Sequence, residues 1–258
     1  MCVFILGIPE RERKHLRRRV FAESDPRIQA GAVIGGSGIF EMPLDQAIRE
    51  RRLAMIYDFL VDSYETERIK VISLWSEFRN DDLSVRPNRA DPRGRSVQEQ
   101  MVHQCVSEDT WFRTMLDIDV GAPPLPVQET RLEFLKRYAE DSGKRVSALR
   151  EKTEAWWEGG AIFFTVPRSR AWIMLRRMTH TAHHRGQLMA MLRMLGRDLH
   201  SNYGPTADTG GLMQNHAATI YAYPDLAALL KAEASGGAKS SLPGSGGQAV
   251  TERPASHS

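Results

Sequence analysis

Cysteine is almost absent from this sequence: Cys2 and Cys105 are the only two among 258 residues. That excludes a disulfide framework and any Cys-rich zinc module, and such scarcity fits a reducing compartment. Long apolar runs are missing too, with no stretch near the ~18–20 residues that span a bilayer. The apolar start, Met1 to Ile8, is followed by charge rather than preceded by it, the wrong order for a signal peptide. The expectation is a cytoplasmic protein with no membrane association. A marked excess of one charge is also lacking: 35 Lys and Arg stand against 32 Asp and Glu, a net charge of +3. Residues 1–27 hold seven Lys/Arg and four Asp/Glu (+3), residues 234–258 hold two and one (+1), so the central 206 residues sum to −1. Such a core is not expected to bind phosphate, and no specific nucleic-acid partner is expected. The basic run Arg11 to Arg19 reads as a solvated arm, or as residues upstream of a later start at Met42.

What remains is ordinary globular material, 41% hydrophobic and 26% charged, enough for one sizeable core. Residues 1–44 mix the basic run with Gly31-Ala-Val-Ile-Gly-Gly-Ser-Gly38 and show no period. Four long helical segments follow, over about residues 45–200. The first is expected from Pro43 to Phe78, with Leu53, Ile56, Leu60, Tyr64, Val71, Trp75 and Phe78 near one face. The second opens at Ser96-Val-Gln-Glu99, a capping-box spacing, and runs to Leu116. The third is expected from Pro126 to Trp157, with Leu132, Leu135, Ala139, Ser142, Val146, Leu149, Thr153 and Trp156 stepping by 3 and 4. The fourth runs from Ser169 to Gly196, a C-terminal stop. Ala161 to Thr165 is a short extended piece; residues 201–234 are a loop and a short helix from Asp225. The Gly/Ser-rich tail, 235–258, is expected to be disordered. The class is all-α, an antiparallel four-helix bundle.

The histidines carry the chemical information. His180 and His184 lie four apart in the fourth helix, about 40° round and one turn up, so both imidazoles can reach one ion. Ile173, Leu188, Met191 and Leu195 share that face, while His183 lies off its edge. The i, i+3 pair His180/His183 remains an alternative, and a satisfied core histidine is the bland one. A third ligand must come from another helix, and His103 is the only histidine on the other three. Its helical neighbours Glu99, Ser107, Thr110 and Thr114 are polar, which fits a surface position or a wet cavity equally. Glu99 is explained by capping, and Cys105 points elsewhere, into the core. Arg177 is placed to bind a substrate carboxylate or to snorkel; Arg185 and Arg193 are expected to be solvated, and nothing ties His200 or His216 to the site. The loop Tyr203 to Gly211, with Asp208 its one carboxylate, is a candidate cover for the pocket mouth.

His180-x-x-x-His184-Arg-Gly-Gln-Leu188 followed by Met-Leu-Gly196, together with Val102-His103 and Trp111, resembles the DinB family over roughly residues 50–200. The resemblance implies an up-down-down-up four-helix bundle with one divalent transition metal (zinc, nickel or iron) on His103, His180 and His184. It also implies a metal-dependent enzyme of the thiol-transferase or hydrolase kind, using a low-molecular-weight thiol or a small electrophile. A homodimer is the expected assembly. The alternative is a non-catalytic metal-binding stress-response protein or a dimeric structural module.

Overall fold

The computed structural model describes residues 56–212, 215–247, 249 and 251. The expected N-terminal arm, and the start of the first helix at Pro43, lie outside these residues. The described part of that helix, α1, spans Asp58–Ser76. Ile56, expected on its buried face, precedes it and is exposed. A 3-10 turn, Asn80–Asp82, leads into α2, Val97–Met115. The Ser96 hydroxyl accepts from the Glu99 N–H while the Glu99 carboxylate accepts from the Ser96 N–H, closing the expected box.

The third helical segment is two helices. α3 is Arg131–Arg150, capped by Thr130, and α4 is Glu154–Glu158, capped by Thr153. The Thr153 hydroxyl accepts from the Trp156 N–H, offering the backbone a fresh start where a seam residue of one long helix was expected. Trp157, not Trp156, is consequently the indole that is fully buried. β1 (Gly160–Phe163) and β2 (Val166–Ser169) form an antiparallel hairpin, so the short extended piece has a partner strand. α5, Arg170–Met194, starts from a Ser169 cap and ends at Gly196, whose φ of +63° is the left-handed stop expected there. The short helix expected from Asp225 is α6, Leu226–Glu233, and Asp225 is its cap.

Cross-helix contacts set the directions. Arg150 pairs with Asp62 and Glu65, and Arg68 bonds to Ser142, so α3 runs against α1. Gln100 meets His184 and Ser107 meets Arg177, so α2 runs against α5. Arg185 pairs with Glu67 and the following Arg197 with Asp82, so α5 runs with α1. The order is up-down-down-up. Residues 116–130 carry the chain back along the bundle between the two parallel helices α2 and α3. α2, with 19 residues, is about 28 Å long, well within the reach of such a segment.

The core is divided. One apolar cluster gathers Ile72, Leu74, Trp75, Phe78, Met101, Phe134 and Leu188, and another gathers Leu60, Phe112, Leu149, Trp157, Ile173 and Met174. Between them lies a buried carboxylate, Glu108, which accepts from Tyr64 (2.6 Å), Tyr138 (2.8 Å) and Arg145 (3.2 Å). Arg177, fully buried, stands 3.8 Å from it.

Part of the tail expected to be disordered returns to the bundle. Lys239 pairs with Glu233, the Ser240 N–H donates to the Ala222 carbonyl, and the Gly244 N–H donates to the Asp208 carbonyl. Composition misleads here because backbone donors find partners without apolar side chains.

Candidate metal centre

Antiparallel packing of α2 on α5 brings His103 level with His180 and His184, which stand one turn apart on α5. The three rings form one cluster, with potential ligand atoms all within 4.8 Å of one another. Ring centroids are 4.6 Å apart for His103 and His184, 5.4 Å for His103 and His180, and 4.5 Å for His180 and His184. The Nε2 atoms of His180 and His184 are separated by 3.2 Å. Two imidazoles on one tetrahedral ion, with metal–nitrogen bonds of ~2.0–2.1 Å, put their nitrogens about 3.3 Å apart. The residues therefore fit a shared ion.

Orientation is provided by side chains around the cluster. His184 Nδ1 lies 2.8 Å from Gln100 Oε1 and 3.0 Å from Gln187 Oε1, two acceptors, so the proton sits on Nδ1 and the Nε2 lone pair is free to ligate. Gln100 Nε2 in turn donates to Gln187 Oε1, and Gln187 Nε2 meets His183 Nε2 at 3.1 Å. His180 has no such hydrogen bond: its Nδ1 is buried without a partner among the described residues. Its ring is held instead by Trp111, stacked at 5.7 Å and 20°.

All three histidines favour the neutral form that ligation needs. Burial lowers the pKa of His103, helped by the charges of Arg95 and Arg177. Burial, then Arg177, brings His180 to about 3; burial, then His103, brings His184 to about 4. His183 is exposed and stands outside the cluster.

Other sequence expectations are corrected. Arg177 is no substrate clamp: it donates to Ser107 and Thr181 and lies over the Trp111 ring. Arg185 is buried rather than solvated, paired with Glu67 at 2.8 Å and bonded to the Asn202 carbonyl, with Tyr203 against its guanidinium. The chain after Gly196 folds back along α5 and covers that face, which a helical wheel cannot anticipate. His200 is buried and bonded to Ser240 and Glu77. Asp208 accepts from the Leu199 N–H and pairs with Arg193, about 13 Å along α5 from His184, so it does not cover the cluster. Arg193 is exposed, as expected, and keeps Asp208 as an ion-pair partner. Glu99 also pairs with Arg86 beyond its capping role. Cys105 is buried as expected, and burial pushes its thiol pKa well up.

Sequence reading missed Gln100 as the orienting acceptor and Glu108 as the centre of the polar layer. Gln100 sits three residues before His103 and Gln187 three after His184, a spacing that could have marked both.

The chain is thus an up-down-down-up helical bundle with three histidines at one level that could hold a metal ion. The DinB family model matches residues 58–210, more than half of the chain, and the chain belongs to the DinB family. Among solved structures, it is similar to a DinB-like protein from Bacillus cereus ATCC 10987, at 18% identity and a TM-score of 0.48, over 54% of this chain and 92% of that one. It is also similar to one from Bacillus subtilis, at 15% identity and a TM-score of 0.43, over 54% and 94%. No curated protein matches. No helix among the described residues is long and apolar enough to cross a membrane.

Proposed function

We propose that His103, His180 and His184 hold one divalent transition metal, zinc, nickel or iron, in a metal-dependent enzyme of the thiol-transferase or hydrolase kind. The 3.2 Å separation of two Nε2 atoms, with His184 Nδ1 committed to two glutamines, is the observation that carries this reading. Three neutral imidazoles leave the ion its full charge and an open position, where it supplies acidification of a thiol or water, or polarisation of a carbonyl. Gln100 and Gln187 keep the His184 lone pair aimed at the cluster. Trp111 fixes the His180 ring and shields one face from water. Arg95 is exposed, makes no hydrogen bond or ion pair among the described residues, and adds positive charge that favours an anionic ligand.

Thiol transfer is the better-supported branch. A metal-assisted hydrolysis usually leans on a carboxylate base, yet Glu99 and Glu108 are both committed to other partners. A thiol at the site would be acidified by such an ion and could release its proton to water near neutral pH without that help. Cys105 is too deeply buried to be that thiol, so a low-molecular-weight thiol is the co-substrate and a small electrophile the acceptor. A non-catalytic metal-binding role is the second reading, favoured by the same commitment of the carboxylates.

Elemental analysis of tag-free protein tests the metal, with about one ion per chain expected. A thiol-consumption assay over a panel of electrophiles tests catalysis. Metal without turnover leaves the binding role; no metal removes both readings.

A further inference from the structure

Beside the histidine cluster the hairpin extends the core into an aromatic wall that runs from buried Trp111 out to exposed Phe164. Trp111, stacked on His180, is met edge-on by Phe163 at 5.0 Å and by Phe164 at 6.0 Å. Trp172 closes on Phe163 at 5.1 Å. Trp111 is the buried floor, at 6% exposure, whereas Phe164 is 68% exposed at the rim.

Phe164 is costly where it stands. The Phe163–Val166 pair closes a two-residue loop, and Phe164, first in that loop, has φ of +54°. Glycine or asparagine adopts that conformation at less cost, and a bulky side chain rarely occurs there. The residue therefore carries both a backbone penalty and an exposed apolar ring. Its ring contacts are Trp111 and Phe163, the two rings that continue toward His180.

We propose that the hairpin wall is the apolar subsite of the histidine centre, and that the ligand carries an aryl group packed on Phe164, Phe163 and the edge of Trp111. The proposal rests on the metal-site reading above. The occupant is a small molecule because the wall is continuous with the imidazole cluster through the Trp111–His180 stack. A flat ring adds edge-to-face contacts there while its polar head reaches the ion.

Two probes with one chelating head, acetohydroxamate and benzohydroxamate, test this by calorimetry on the zinc-loaded full chain, with zinc content measured on every sample. Benzohydroxamate should bind about tenfold tighter, as burial of one ring allows. In Phe164→Asn, which suits the backbone, that preference should shrink to about threefold or less while acetohydroxamate binding is unchanged. Equal affinity of the two probes in the zinc-loaded parent overturns the subsite and leaves the metal reading standing, as does a preference that survives Phe164→Asn. A chain that takes up no zinc overturns the metal reading first. Sedimentation supplies the remaining arm: a dimer that Phe164→Asn converts to monomer shows a second copy on the wall and overturns the proposal.

Discussion

Gln100 on α2 and His184 on α5 face each other across the helix interface, amide Oε1 to imidazole Nδ1 at 2.8 Å. With Gln187 Oε1 at 3.0 Å from the same nitrogen, that bond keeps the His184 proton on Nδ1, and it couples His184 on one helix to the register of the other.

Gln100→Leu should lower zinc affinity about tenfold, at the low end of the effect of removing an outer hydrogen-bond partner, because Gln187 still accepts from Nδ1. Gln100→Leu combined with Gln187→Leu should lower it further. Competition against a chromogenic chelator measures both, and unchanged affinity in the double variant would show that the pair does not orient the ligand.

Alanine at His103, His180 or His184 should strip most bound metal, since each removes one of three ligands. His183→Ala should keep near-stoichiometric metal, because His183 stands outside the cluster and its side chain meets Gln187 instead. Metal per chain in the four variants is the measurement. Loss in His183→Ala with retention in His184→Ala would move the site to the i, i+3 pair.

The apo protein should lose stability as pH falls below about 6.5, the ordinary histidine value. With folded-state values lowered to about 3 for His180 and about 4 for His184, the unfolded chain binds more protons through that window. Stability therefore rises with pH there and is lost on acidification. Denaturant midpoints at pH 7 and pH 5 should differ less in His180→Ala/His184→Ala than in the parent. An identical difference in both proteins would refute the assignment.

Glu108→Ala should destabilise the fold by about 3–5 kcal/mol, since Arg145 and Arg177 would be left in the interior without their carboxylate. Urea unfolding measures it. A loss below about 1 kcal/mol would mean that water or Asp109 takes over the arginines.

Truncation after Ser235 should also destabilise, because it removes the Lys239 ammonium from Glu233 and the Ser240 carbonyl from His200. Truncation after Gly247 should leave the melting temperature unchanged. Equal melting for both truncations would return residues 236–247 to the status of a dispensable tail.

Local signals were enough for much of this protein. The Ser96-x-x-Glu99 box, the Gly196 stop and the His180/His184 spacing each concern residues within one or two turns, where helix geometry alone relates side chains. The site on α5 was therefore legible, and the DinB resemblance supplied His103 and the bundle order. Thr153 shows the limit of periodicity: it fits the seam by spacing, yet its hydroxyl caps a new helix. Arg177, Arg185 and Asp208 were misplaced because their partners lie on other segments. Glu108 meets Arg177 only across the bundle, and Tyr203 and Asn202 reach Arg185 only after the chain turns back. Sequence by itself determined where the long helices lie and which histidines of α5 share a face, because those follow from the fixed rise and rotation of one helix. Tertiary structure alone decided which charges are buried and how His184 is oriented, because both depend on contacts between residues far apart in the chain.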